Sequence, residues 1–212
     1  MHRMHRTHRT HHRSLPRSGA LARLAFALSV AACAPDLGGD DGGDDGPPVV
    51  VVDNGDGSVT VTIDARDDVA WVYLDLESSA LVTPVDPGDS PLWDLAALRF
   101  NIKTNGGSSG SGEVEVATIE GVPFDAVDQA PVDGYARDDA AGGPAAMEPE
   151  PGYAFDLWYD YDMDEHTLSP RDVVYVVRTV EANYYKIQML DYYNDAGTAG
   201  YVKLRAAPIA AP

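Results

Sequence analysis

Apolar and polar side chains alternate with a period of two through most of this chain from Val49 onward, and that period commits it to strands. "SVTVTID" (58–64), "EVEVATI" (113–119) and "YVKLR" (201–205) each place every second residue on an apolar face. "VVVV" and "SVTVTID" flank Asp53-Asn54-Gly55-Asp56-Gly57, whose glycines permit positive φ, so this segment predicts a hairpin. "VAWVYLDL" (69–76) reads as a further strand, and "LRFNIKT" as another with Leu98, Phe100 and Ile102 on one face. "YAFDLWYDYDM" puts Tyr153, Phe155, Leu157, Tyr159, Tyr161 and Met163 on one face and Trp158 with three aspartates on the other. "VVYVVRTV" (173–180) and "YYKIQML" (184–190) predict a late hairpin. A helical period occurs only over Pro91–Leu98, while 120–151 is irregular and rich in Pro, Ala, Gly and Asp, the composition of a binding loop or of disorder. The expected fold is therefore all-β, a single domain of long antiparallel hairpins over 49–212, and about 165 residues suffice for a proper core.

The first 48 residues have a different chemistry. Residues 1–23 carry six arginines, five of the six histidines and no acid, and "LAFALSVAA" (24–32) is apolar but too short to span a bilayer. A basic stretch, a short apolar stretch and small residues before a cut describe a secretory signal peptide over 1–32. Cys33, the chain's only cysteine, follows Val30-Ala31-Ala32 in a run that resembles a bacterial lipobox, where the cysteine is acylated and becomes the first mature residue. A lone cysteine forms no disulfide within the mature chain, so core packing must supply its stability. The histidine-rich opening lies upstream of that cut and is not read as a metal site. "APDLGGDDGGDDGPP" has too little apolar content to pack, which makes 33–48 an acylated tether. Removing 1–32 takes away six of 15 basic residues and none of the 34 acidic ones, leaving a formal charge of −25. Such a field repels nucleic acid and anionic lipid head groups, so neither is an expected partner and the membrane is met through the lipid alone.

Few segments carry recognisable chemistry. Gly106-Gly107-Ser108-Ser109-Gly110 matches G-x-S-x-G literally, but a nucleophile elbow needs a strand turning into a helix, and here the loop leads into a strand. A hairpin bend is the better reading, and no phosphate-loop or dinucleotide pattern is present. His166 is the one histidine of the mature chain and lies in "MDEHTLSP", at the bend after the aromatic strand. Met163 ends that strand's apolar face and Met147 lies in the irregular stretch. Imidazole and thioether both ligate haem iron, and a flat macrocycle needs aromatic walls, which eleven tyrosines between 73 and 201 can supply. A histidine at a hairpin bend is more often a structural hydrogen-bonding residue, and both readings stay open on these residues alone.

"WDLAALRFNIKTNGG" and "VVYVVRTVEANYYKIQMLDYYNDAGTAGYVKLRAAPI" together resemble the HmuY family of haem-binding bacterial lipoproteins, over roughly residues 58–209. The resemblance implies long twisted hairpins gripping one haem between two axial ligands, and a role in haem or iron acquisition without catalysis. Ala34 after the cysteine, where no aspartate stands, points to the outer membrane if the cell has one, and an outer-membrane haem receptor is the expected downstream partner. In the family's W-x-x-x-x-His segment this chain has Trp158 followed by Met163, so the resemblance puts Met163 in the ligand position and leaves His166 three residues beyond it. The other ligand loop corresponds to residues 136–152, where Met147 is the soft donor. The resemblance thus implies Met147 and Met163, with His166 beside them, as the haem-iron ligand set, and a basic residue such as Arg137 or Arg171 at a propionate. The alternative reading keeps the fold without haem, as a surface scaffold or adhesion module with or without calcium, because Asp53–Gly57 falls short of a complete calcium loop.

Overall fold

The computed structural model describes residues 47–139, 152–155 and 158–212. The expected signal peptide, Cys33, the tether as far as residue 46, and Met147 lie outside the described residues.

The hairpin expected around Asp53–Gly57 forms. Strand β1 (Val49–Asp53) pairs antiparallel with β2 (Val59–Asp64), and Gly55 and Gly57 take φ of +77° and +85° between them. β3 (Val72–Asp75) is shorter than the sequence suggests and lies between β4 (Ala80–Val82) and β5 (Leu95–Leu98). β5 then turns back through Arg99 and Phe100 into β6 (Asn101–Thr104), with Leu98 opposite Asn101. "LRFNIKT" is therefore a tight turn between two short strands, not one strand. Pro91–Leu98 is not helical either. All four residues of β5 are buried, and a short strand covered on both faces has no period-two signal to display.

The remaining elements are β7 (Glu115–Glu120), a 3₁₀ turn at Phe124–Ala126, β8 (Tyr135–Ala136), β9 (Tyr159–Asp162), β10 (Thr167–Pro170), β11 (Val173–Arg178), β12 (Tyr184–Tyr193) and β13 (Ala199–Ile209). They form a seven-stranded sheet ordered β1-β2-β13-β12-β11-β7-β8, a four-stranded sheet ordered β4-β3-β5-β6, and the separate β9–β10 hairpin. All the strand pairs are antiparallel. The all-β expectation holds.

The main core joins Val61, Ile63, Tyr175, Ile187 and Leu204 of the large sheet to Leu74, Leu95 and Ile102 of the small one. A smaller core lies on the far face of the large sheet, where Val174, Val176 and Ala207 meet Phe124 and Val127. β11 is buried on both faces, which is why "VVYVV" reads as an unbroken apolar run. Phe124 is clasped by two cations: Lys186 Nζ lies 4.5 Å and the Arg205 guanidinium 4.2 Å from its ring centroid. Lys186 Nζ also donates to the Phe124 carbonyl at 2.9 Å, so a buried ammonium keeps a partner.

The glycine-serine loop (105–114) is not a hairpin bend. It carries the chain from β6 in the small sheet to β7 in the large one. Its amides are spent internally: Ser108 N donates to Asp138 O, Ser111 N to Gly88 O, and Val114 N to Asn105 O. Asn105 is its centre, donating to the carbonyls of Ser90 (2.7 Å) and Trp93 (2.8 Å) and accepting from Gly112 N (3.1 Å). N–H groups paired in this way are not left to cradle a phosphate. Glycine is required because the chain passes so close to this side chain: a Cβ on Gly112 would sit 2.6 Å from Asn105 Nδ2 and 2.7 Å from Val180 Cγ2.

Asn105→Ala strands two buried carbonyls and an amide, and should cost on the order of 3 kcal/mol. Gly112→Ala overpacks the same point and should cost about 1–3 kcal/mol. Both losses are read as a lowered urea midpoint with unchanged slope. A wild-type midpoint for Asn105→Ala would show that the loop does not depend on this side chain.

Candidate functional site

The β9–β10 hairpin leaves the core at Tyr159. Trp158 and Tyr159 are both buried, whereas Tyr161 is 43% exposed and Met163 73% exposed, so the single apolar face expected from Tyr153 to Met163 breaks after Tyr159. The reason is that β9 starts only at Tyr159 and pairs with β10 alone, outside either sheet. Between this hairpin, the β5–β6 turn and the β12–β13 end lies an open cleft of about 250 Å³. One wall is Arg99 and Phe100, another is Tyr161, His166 and Leu168, and the third is Tyr192 and Tyr193.

Each wall comes from a local departure from regular structure. Arg99 has φ of +52° at the first position of its two-residue turn, and His166 has φ of +55° at the last position before β10. Non-glycine residues in the left-handed region are uncommon, and such strain collects at functional sites. Arg99 N donates to Ala65 O (2.8 Å), and Trp158 Nε1 donates to Phe100 O (2.7 Å), so the turn is fixed from both sides. The hairpin turn is held by the Asp162 carboxylate, which accepts from Asp164 N and Glu165 N. The β12–β13 register shifts on either side of Asp191, whose carboxylate accepts from Tyr192 N and Tyr193 N. A bulge lets two consecutive tyrosines line one cleft, where a regular strand would send them to opposite faces. Tyr193 OH then accepts from Leu168 N at 2.9 Å and ties the hairpin to the large sheet.

The floor is aromatic. Phe100 meets Tyr159 and Tyr192 edge-on at 5.7 and 6.4 Å, and Trp158 meets the same two rings at 5.2 and 6.3 Å. Burial pushes the Tyr192 phenol above its usual range, so it stays neutral. At the rim, Tyr161 Oη and His166 Nδ1 lie 2.8 Å apart, a hydrogen bond that leaves Nε2 as the imidazole's other donor or acceptor. Arg99 supplies a cation, with Nη1 donating to Arg66 O at 3.0 Å and Nε 3.6 Å from the exposed Asp68 carboxylate.

Of the residues expected at the site, His166 lines this cleft. Met163 stands three residues away on the same turn, exposed at the hairpin tip. Met147 belongs to 140–151, outside the described residues, but the chain entering and leaving that stretch is closed at its base: Asp139 N donates to Gly152 O and Ala154 N to the Asp138 carboxylate, each at 2.8 Å. Arg137 pairs with Glu113 (2.8 Å) and Arg171 lies 3.7 Å from Glu120; neither lines the cleft, and Arg99 does. Arg99, Tyr192 and Tyr193 are missing from the sequence-level site. A non-glycine turn and a bulge leave no trace in the alternation, although the repeated tyrosines of "DYYND" mark the spot.

The family model for the HmuY protein matches residues 67–205. Three solved structures share the fold. A Bacteroides fragilis protein provisionally described as a lipoprotein has 23% identity, 75% of this chain and 95% of its own covered, and a TM-score of 0.56. A Bacteroides vulgatus protein provisionally described as HmuY-like and haem-binding has 21% identity, coverage of 75% and 96%, and a TM-score of 0.56. The apo HmuY analogue of Tannerella forsythia has 20% identity, coverage of 77% and 97%, and a TM-score of 0.55. No curated protein matches. The family match takes in Arg99, the glycine-serine loop, the β9–β10 hairpin and the paired tyrosines in one stretch, and by it the chain belongs to the HmuY family.

Proposed function

We propose that this protein is a surface lipoprotein, anchored through Cys33 to the outer membrane, that captures haem or a related porphyrin for iron acquisition and hands it to an outer-membrane receptor. The observation that carries the reading is the aromatic cleft at the β9–β10 turn, where His166, Tyr161, Phe100, Tyr193 and Arg99 converge. Members of this family are binding proteins, and the described cleft presents aromatic walls, an imidazole and a guanidinium, so the role in this reading is capture rather than catalysis.

The aromatic lining of the cleft suits one face of a haem. Tyrosine and phenylalanine rings present edges and faces to a flat apolar ring, and the described walls enclose about 250 Å³, enough to grip one side of it. Met163 of the β9–β10 turn and Met147 of the 140–151 stretch are the axial donors in this reading, and His166 is a wall residue oriented by Tyr161. Thioether is soft and favours ferrous over ferric iron, whereas imidazole serves both. Arg99, at the mouth, meets a propionate.

Titration of the full chain with ferrous and ferric haem, followed in the Soret band, should give saturable one-to-one binding that is tighter for the ferrous form. Met163→Ala and Met147→Ala should each weaken it by on the order of tenfold, about 1.4 kcal/mol. His166→Ala should leave the ligand-field signature unchanged. A spectrum like that of free haem at all ratios would sink the reading in favour of a scaffold of the same fold. Loss of the signature in His166→Ala with Met163→Ala unaffected would move the ligand to the imidazole.

Arg99→Ala should weaken haem about fivefold, near 1 kcal/mol for a partly exposed ion pair, with a smaller loss for a porphyrin whose propionates are esterified. Equal losses for acid and ester would show that Arg99 shapes the turn and meets no carboxylate.

A further inference from the structure

At the other end of β5 from the cleft, four acidic side chains converge. Carboxylate oxygens of Asp75, Glu77, Asp94 and Glu181 all lie within 4.8 Å of one another. Asp94 is 1% exposed and holds two elements at once: its Oδ2 accepts from Leu76 N just beyond β3, and its Oδ1 accepts from Val180 N in the β11–β12 turn, both at 2.9 Å. Glu77 crosses the same junction, its Oε1 accepting from Thr179 Oγ1 (2.5 Å) and Asn183 Nδ2 (3.2 Å). Its Oε2 is buried with no donor facing it. Here the small sheet is pinned to the large one by carboxylates, and one of their oxygens is an orphan acceptor.

We propose that Asp94 and Glu77 share a single proton, and that this proton is a pH-sensitive latch between the two sheets. Asp94 carries it and donates to Glu77 Oε2, which supplies the missing partner and removes one of two negative charges from the junction. When the proton leaves, two ionised carboxylates face each other beside Glu181 and Asp75, and the junction loosens. Among the described residues, the charged and titratable groups that face Asp94 are Asp75 and Glu77 from the β3–β4 side, Glu181 from the β11–β12 turn, and the Tyr185 phenol at the start of β12, itself pushed up by burial and by these carboxylates. Burial raises Asp94 to about 7, with the charges of Glu77 and Glu181 adding to it against its two backbone amides. An acid raised in the folded state stabilises the fold fully below its unfolded value, near 4, and loses that contribution as pH climbs through its folded one. The fold should be tightest in mild acid. The latch does not depend on the haem reading.

Urea unfolding of the full chain between pH 5 and 8 should show the unfolding constant rising with pH by on the order of tenfold or more, a proton being linked at up to tenfold per unit. Glu77→Gln keeps an oxygen for Thr179 and Asn183 and offers an amide donor where the shared proton stood. It should flatten most of that dependence and exceed the wild type in stability at pH 8. The slope that remains belongs to Asp138 and Glu181, which burial also raises. In carbon-13 spectra of the wild type, the Asp94 carboxyl should titrate near neutrality, a readout that needs no variant to fold. An Asp94 carboxyl titrating in the ordinary carboxylate range, or an unchanged slope in Glu77→Gln, would overturn the proposal. So would a calcium-induced rise in the pH 8 midpoint that Glu77→Gln abolishes, which would put a cation where we place the proton.

Discussion

No strand ladder joins the two sheets, and three buried side chains, with Glu77 beside the first of them, tie one to the other. Asp94 takes amides from the β3 end and the β11–β12 turn, Asn105 gathers the loop that crosses between sheets, and Asp138 takes Thr104 N of β6 and Ala154 N of the segment leading to β9. Each is an acceptor, or both donor and acceptor, placed where several backbone groups would otherwise be buried without partners. The apolar core supplies attraction but no direction. The polar pins decide how the small sheet sits on the large one, and with it where the β5–β6 turn presents Arg99 and Phe100.

The choice of carboxylates for two of these pins has a cost that the rest of the molecule shapes. Each oxygen accepts one amide with good geometry, which a neutral amide side chain could not do twice without turning a donor toward a donor. In exchange, a buried acid is pushed toward its neutral form, and both Asp94 and Asp138 are raised by burial. The chain's strongly negative balance, −19 over its full length, adds to this tendency at Asp94, where the neighbours are acids too.

Legibility of the sequence followed burial. β2 and β13 cover the core with one face each and read cleanly as alternation; β11, covered on both, reads as an apolar run, and its pairing with β12 was still evident from the turn between them. β5 and β6 did not, because four buried residues have no exposed face to set a period, and the turn at Arg99 uses positive φ without the glycine that would announce it. The hairpin carrying His166 departs from its pattern for the opposite reason: the alternation runs on to Met163, but β9 pairs with β10 alone, so the side chains after Tyr159 have no sheet to face. The glycine-serine loop advertised itself by composition alone. What glycine does there, passing within contact of Asn105, is a tertiary fact that no local pattern encodes.

The cleft and the carboxylate junction occupy opposite ends of β5, a strand of four residues and therefore about 13 Å long. Their construction differs accordingly. At the junction each backbone amide named is taken up by the buried Asp94 carboxylate. At the cleft the backbone is bent instead, by two left-handed residues and a bulge, and the bends are held from outside by Trp158, Ala65 and Asp191 so that the side chains they project line the opening. The Arg99–Phe100 turn has its own anchors to Ala65 and Trp158, so the cleft walls are held at their own end of β5 as well as through the pins at the other.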